Sequence, residues 1–278
     1  MDYSFIFIQP QLHLYFCNYP YKTFNTPCNM TIYDVSHYPS TYCKTLKNIR
    51  IMPSANCIWI LCYNSIQDFN FLCIGSQSHP IWIDISAYSN YFVIVFDANP
   101  LYLNALNINA DYLRPSLLRD QQINLKLKVQ SPEYKLLSTF INTTSFDKHI
   151  ELLLNYIDQY TTCCPFPASF QTMVNMIFTG NEVLSLQDIS AKTTYSVRHI
   201  NRMFHNYLGY GPKTLCKYIR FQKVLKEIIS NPNRQNSEFI LNIDYSDQAH
   251  FQREFKSFMG ETPKAFCNQL IHVYKQSP

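Results

Sequence analysis

Between Leu184 and Pro263 the chain writes one pattern twice. Each copy runs from a short apolar-periodic segment through a turn to a second segment with Arg on its polar side. Each then closes on a Gly, with Pro three residues later. The first copy is LSLQDISAKTTYSVRHINRMFHNYLGYGP, from Leu184 to Pro212, and the second is SEFILNIDYSDQAHFQREFKSFMGETP, from Ser237 to Pro263. Between the copies Ser196 falls on Ser246, Arg202 on Arg253, Phe204 on Phe255, Gly209 on Gly260 and Pro212 on Pro263. The offset is 50 or 51, which implies a one-residue slip inside one copy. A repeat of this kind is a statement about architecture, because each unit must bury its apolar side against a neighbour. Two short helices joined by a tight turn make a helix-turn-helix, so two such units in tandem are expected.

Residues 168–278 read as helical throughout, with about seven helices. Ala168–Phe178 is a support helix that stops at Gly180-Asn181. Ser185 caps a second helix through Ile189, with Asp188 in the capping-box position. Ser196 caps a third that runs to Tyr207, and a long helix follows over Lys213–Ile229, ended by Asn231-Pro232-Asn233. Further helices are expected over about 235–242, 247–258 and 262–275.

Periodicity also divides the faces of the two Arg-bearing helices. Val197, Ile200, Met203, Phe204 and Tyr207 fall on one side, leaving Arg198, Asn201, Arg202 and His205 on the other. On the second helix, Phe251, Phe255 and Phe258 turn inward. Gln248, Ala249, Gln252, Arg253 and Lys256 turn outward, with Asp247 and His250 near the N-terminal edge. Arg pairs with guanine through two hydrogen bonds, and Asn and Gln pair likewise with adenine. Such side chains at the N-terminal part of a second helix are placed to reach base edges. One Arg alone is most simply a solvated surface residue; two matching faces in two matching units argue for DNA.

The first part of the chain is of another kind. Ile49-Arg-Ile-Met-Pro, Ile58–Tyr63, Phe71–Ile74, Ile81–Ile85 and Tyr91–Phe96 are short runs of Ile, Val and aromatics separated by turn residues. Strands at this spacing predict a sandwich or small barrel over residues 1–130. A short helix is expected over Leu101–Leu106, and an alternating segment over Ile123–Val129. Such a barrel could hold a small ligand, although its aromatics are equally suited to a core. Residues 131–165 read as a helical linker, in which Phe146, Ile150, Leu153, Leu154 and Ile157 form one apolar stripe. The stripe packs either on the barrel or on a second copy of itself, a possible dimerisation surface. Thr161-Thr-Cys-Cys-Pro-Phe-Pro then breaks the helix and marks the domain boundary, with 166–278 beyond it.

Charge is uneven. Residues 1–165 hold 10 Lys and Arg against 11 Asp and Glu, while residues 166–278 hold 13 against 8. A basic C-terminal part suits a polyanion, whose condensed counterions Lys and Arg displace. The ten cysteines follow no leader-like segment: MDYSFIFIQPQ is acidic at its start and its apolar run is short. They are expected to be reduced, buried thiols of a cytoplasmic protein. No apolar run reaches the length of a membrane span. His13, His37 and His79 lack metal-ligand spacing and Cys57/Cys62 has no second pair, so no metal is expected. No nucleophile triad, nucleotide loop or carboxylate pair stands out, and no enzymatic activity or bound cofactor is expected.

S-x-R-x-I-x-R-x-F with G-x-x-P, from Ser196 to Pro212, is similar to the first motif of the AraC/XylS family of bacterial transcription regulators. Ile219-Arg-Phe-Gln resembles that family's linker-helix signature. Tyr245-Ser-Asp-Gln-Ala-His-Phe-Gln-Arg-Glu-Phe-Lys with Gly260-x-x-Pro263 resembles its second motif. The match covers about residues 166–270, and the segment around Arg50-Ile-Met-Pro loosely resembles a cupin-like sensor domain of one subgroup. The resemblance implies an α+β two-domain chain whose C-terminal half sets two recognition helices into successive major-groove segments of double-stranded DNA. Contacts would fall to Arg198, Asn201, Arg202 and His205, and to Gln248, Ala249, His250, Arg253 and Lys256. Double-stranded DNA and RNA polymerase are the partners to expect, and the N-terminal domain is expected either to sense a small molecule of unknown identity or to mediate self-association in a homodimer. Asp244 and Ile240 stand where the family has Gly and Ala, which implies looser docking of the second unit.

Two other readings compete. The same DNA-binding unit fused to a cysteine-based alkylation-repair domain would need four paired zinc ligands, and only Cys57/Cys62 and Cys163-Cys164 are close. A regulator controlled by a protein partner rather than a ligand would look the same in sequence.

Overall fold

The computed structural model describes residues 21–24, 30–34, 48–55, 57–96, 119–160, 166–179, 185–230 and 245–276. The strands are β1 (Tyr21–Phe24), β2 (Met30–Asp34), β3 (Asn48–Ile51), β4 (Cys57–Tyr63), β5 (Phe69–Ile74), β6 (Ile81–Asp84), β7 (Asn90–Phe96) and β8 (Gln122–Asn124). The helices are α1 (Pro132–Ile141), α2 (Phe146–Tyr160), α3 (Ala168–Thr179), α4 (Leu186–Lys192), α5 (Val197–Leu208), α6 (Pro212–Ser230), α7 (Gln248–Met259) and α8 (Pro263–Gln276). The helices expected over 101–106 and 235–242 lie outside the described residues, as do Cys163, Cys164, Ile240 and Asp244.

The N-terminal unit is built around β4. Its sequence, CIWILCY, does not alternate, and all seven residues are buried. A strand reads as a continuous apolar run when both faces are covered. Ile58, Ile60 and Cys62 pack with Ile49, Ile51, Ile83 and Ile85, the inner side of the β3–β6 pair. Cys57, Trp59, Leu61 and Tyr63 pack with Leu137, Phe140, Ile150, Leu153 and Tyr156 of α1 and α2. Each such apolar side chain contributes about 1.5–3 kcal/mol on full burial.

The six-stranded antiparallel sheet has the order β1-β2-β7-β4-β5-β8, and among the described residues β3 pairs only with β6. Of the two forms expected, barrel and sandwich, the described strands make the open, sandwich form. The reason is local: β4 is already paired on both edges, by β5 and β7. The strands β3 and β6 are left to pair with each other and lie across its face. β1 and β2 carry too few apolar residues to stand out in sequence. They are held by ladder pairing, β2 on β7 and β1 on β2, rather than by a pattern of their own.

The stripe on α2 is used within the chain. Ile150 and Leu153 are buried against the sheet, so these two residues follow the intrachain alternative rather than the dimer surface. Residues 131–160 thus complete the N-terminal unit instead of acting only as a linker. Cys57, Cys62, Cys73, Cys216 and Cys267 are free thiols. Burial alone pushes the Cys62 thiol up to about 12, which keeps it neutral and hydrophobic in character. Among the described residues, no group of His, Cys, Asp and Glu could hold a metal, and no helix is long and apolar enough to cross a membrane.

One polar cluster crosses the helix–sheet layer. The fully buried His149 of α2 places Nδ1 at 2.5 Å from Oδ2 of Asp34, on β2. Its Nε2 lies 3.0 Å from the Phe140 carbonyl and 2.9 Å from that of Thr143. With Asp34 ionised both nitrogens face acceptors, so both donate and the ring is an imidazolium. Burial opposes that charge, but the Asp34 hydrogen bond and charge and the two carbonyls outweigh it and raise the His149 pKa. Phe140 stacks on the ring at 4.5 Å.

Because the folded pKa lies above the unfolded value, this contribution is complete below about pH 6.5 and is lost as pH rises through the folded pKa. Denaturant titrations of wild type and Asp34→Asn from about pH 5.5 to about pH 9 should show a stability difference that narrows as pH rises. A constant difference would contradict the charged assignment.

Candidate nucleic-acid interface

The helical half is assembled on α6. Leu215, Tyr218, Phe221, Val224, Leu225 and Ile228 are buried along it, in one core with Phe170 of α3, Ile189 of α4, Ile200 and Phe204 of α5, and Phe251 and Phe255 of α7. The two Arg-bearing helices therefore share one core. The connection after β3 also enters it: Met52 and Ala55 are buried in the same cluster.

Capping fixes where each helix begins and stops. Ser185 and Asp188 form the expected capping box at the start of α4. At α5, Ser196 accepts from the His199 amide, and Gly209 ends the helix in the left-handed region at φ 77°. At α7, Asp247 accepts from the His250 amide, and Gly260 ends the helix at φ 73°. That backbone conformation costs an L side chain about 1–2 kcal/mol, which glycine avoids.

These caps correct the alignment of the repeat. Ser196 corresponds to Asp247, Gly209 to Gly260 and Pro212 to Pro263, and every pair is 51 residues apart. There is no slip. Ser246 shares the residue type of Ser196, but the carboxylate one position later provides the capping oxygen. In the corrected register Arg202 pairs with Arg253, Asn201 with Gln252, His199 with His250 and His205 with Lys256.

Arg198, Arg202 and His205 are exposed on α5, and Gln248, Ala249, Arg253 and Lys256 are exposed on α7. Asn201 is half-buried and its Nδ2 donates to the Val197 carbonyl at 2.9 Å, with Oδ1 still able to accept. His250 is also half-buried. Its Nδ1 is 3.2 Å from the Ser246 hydroxyl, and its Nε2 is 3.9 Å from Glu254. It therefore shapes the edge of α7 as much as it projects from it.

One further residue, His199, joins the surface. Arg202 Nη2 lies 3.0 Å from His199 Nδ1, and His199 stacks on Tyr195 at 4.8 Å, so Arg202 has a supported direction. Gln252 is exposed beside Arg253. His199 becomes visible in sequence once the offset is held at 51, since it pairs with His250.

The second unit is bolted to α6 by an ion pair. Arg220 donates from Nε to Glu254 Oε1 at 2.8 Å and from Nη2 to Oε2 at 2.6 Å. Its guanidinium also lies over the Tyr245 ring at 4.9 Å. Burial disfavours the Arg220 charge, yet the Glu254 hydrogen bond and charge prevail and raise its pKa further. A forked pair of this kind fixes orientation as well as distance. It holds α7 so that Gln248, Gln252, Arg253 and Lys256 remain outside.

A family model described as a helix-turn-helix domain matches residues 189–269. A probable transcription factor PqrA of Proteus vulgaris is 32% identical over 88 residues, which are 31% of this chain and 70% of that protein. The chain belongs to the AraC/XylS family of transcription regulators. Its DNA-binding part is the helical half just described. Among solved structures, a probable AraC family transcriptional regulator from Rhodopseudomonas palustris is 20% identical, covers 37% of this chain and 98% of its own, and has a TM-score of 0.33. Apo ToxT from Vibrio cholerae is 11% identical, covers 90% of this chain and 100% of its own, and has a TM-score of 0.47.

Glu254→Gln keeps the shape of the lock and removes its charge. It should lower the unfolding free energy of the full chain by about 1.5–3 kcal/mol, the scale of hydrogen bonds to charged groups. Denaturant unfolding followed by circular dichroism measures it, and a loss near zero would mean that α7 is held by packing alone.

Proposed function

We propose that this AraC-family regulator reads double-stranded DNA by laying α5 and α7 into successive major-groove segments on one side of the duplex. The observation that carries this reading is the exact 51-residue equivalence of two capped helices whose polar sides both remain exposed. Arg198, Arg202 and Arg253 supply guanine or phosphate contacts, and Asn201, Gln248 and Gln252 supply amides suited to adenine. His205, Ala249, His250 and Lys256 complete the two faces, with Lys256 and His205 toward the backbone.

The N-terminal unit is then the regulatory part, which senses a small molecule or mediates self-association in a bacterial cytoplasm. In support, its described contacts with the helical half run through Met52, Ala55 and the rear of the reader, leaving the reading faces uncovered. RNA polymerase is a further partner in this reading.

Selection of fragments from random DNA with the full chain should enrich one site with two separated blocks of preferred bases. Arg202→Ala should weaken binding to that site by about 1–3 kcal/mol and relax preference in one block only. A footprint and base preference unaltered by Arg202→Ala would remove α5 from the reading surface.

A further inference from the structure

Behind the reading faces, two arginines of the N-terminal unit perform the same act on the two recognition helices. Arg119, in the turn before β8, donates from Nη1 to the carbonyl of Gly209, the C-cap of α5, at 3.2 Å. Arg50, on β3, donates from Nη2 to the carbonyl of Met259, the last residue of α7, beside its C-cap Gly260. Carbonyls in the last turn of a helix have no partner within it and carry the negative end of its dipole. A guanidinium is well matched to that end. The same kind of group thus holds the equivalent end of both repeat units.

Neither arginine is a loose surface residue. Arg50 is buried and forms an ion pair with Glu261 at 2.7 Å, just after α7. Its guanidinium lies 5.5 Å from the ring centre of Trp82, its partner across the β3–β6 ladder. Arg119 is held by Asp120 at 3.4 Å, whose Oδ1 accepts from the Ser78 amide at 2.6 Å. Both arms are therefore anchored in the sheet unit. Between them, Met52 and Ala55 are buried in the helical core, so the hold is packed as well as polar.

We propose that Arg50 and Arg119 are positioning residues that bridge the rear ends of α5 and α7 and so set the spacing at which the two helices meet DNA. In this arrangement α6 joins the two helices through the chain, and the N-terminal unit bridges their C-terminal ends. The inference rests on the DNA-reading role proposed above. It assigns to the N-terminal unit a structural part in choosing the operator, through the distance between its two blocks rather than through base identity. Adding one base pair moves a block by about 3.4 Å and turns it by roughly 35°, a displacement that a bridged pair of helices cannot follow and an unbridged pair can.

The test uses the full chain and the double variant Arg50→Met, Arg119→Met, which retains most of the apolar stems. Without DNA, hydrogen exchange should show lost amide protection at both 207–211 and 257–262, with the middle of α6 unchanged; Trp82 emission should shift as Arg50 leaves its ring. Unchanged protection at both ends would overturn the proposal. With DNA, the wild-type chain should lose about tenfold or more in affinity when one or two base pairs are inserted between the blocks of its selected site. The double variant should lose less than about threefold, while keeping the same base preferences within each block. An unchanged spacing profile despite lost protection would overturn it, because α6 alone would then set the distance. If the double variant does not fold, Glu261→Gln, which removes only Arg50's carboxylate partner, carries the same comparison. A wild-type chain that selects no DNA overturns the function proposed above and this use of the arginines with it. The exchange result still reports on the bridge itself.

Discussion

The helical half depends on one buried surface, the apolar side of α6. Neither α5 nor α7 closes a core of its own, and both bury their apolar sides against the same 19-residue helix. Phe204 from one unit and Phe251 and Phe255 from the other meet the row that runs from Leu215 to Ile228. Sharing this core makes the relation between the two recognition helices a property of packing. Interiors packed to solid density do not deform continuously, so the exposed arginines of α5 and α7 inherit fixed positions from residues that never touch solvent.

The polar contacts refine what the packing begins. Arg220 and Glu254 choose one rotation of α7 about its axis, because a forked ion pair tolerates little twisting. Its polar side is exposed for the same reason that Phe251, Phe255 and Phe258 are buried. The N-terminal unit follows a similar logic around β4, whose two faces are covered by different partners. There the imidazolium of His149 ties the helix layer to β2 through Asp34. The two halves then meet where β3 leaves the sheet, with Met52 in the helical core and Arg50 at the end of α7.

Much of this was legible in the sequence. Periodicity placed α3 to α8 to within a few residues, and the Ser185–Asp188 capping box and both closing glycines were visible as letters. The core runs of β3 to β7 were also visible, since Ile- and aromatic-rich segments bounded by turns can do little else. Less legible were β1 and β2, whose short, mixed sequences become strands because β7 offers an edge to β2 and β2 offers one to β1. The slip inferred between the repeats was a misreading of chemistry: a serine was matched to a serine, whereas the cap needs an oxygen, which Asp247 provides.

Local pattern alone determined the tandem units, the inward aromatics and the outward arginines, because helical period and capping act over a few residues. It could not determine that the β-rich unit is an open sandwich, since strand pairing joins segments far apart and β4 admits only two neighbours. Nor could it show that Arg50 and Glu261, separated by more than two hundred residues, would meet. Those contacts exist because two cores, each closed by its own hydrophobic requirement, bring their edges together. Only the three-dimensional structure decides which charges then face one another.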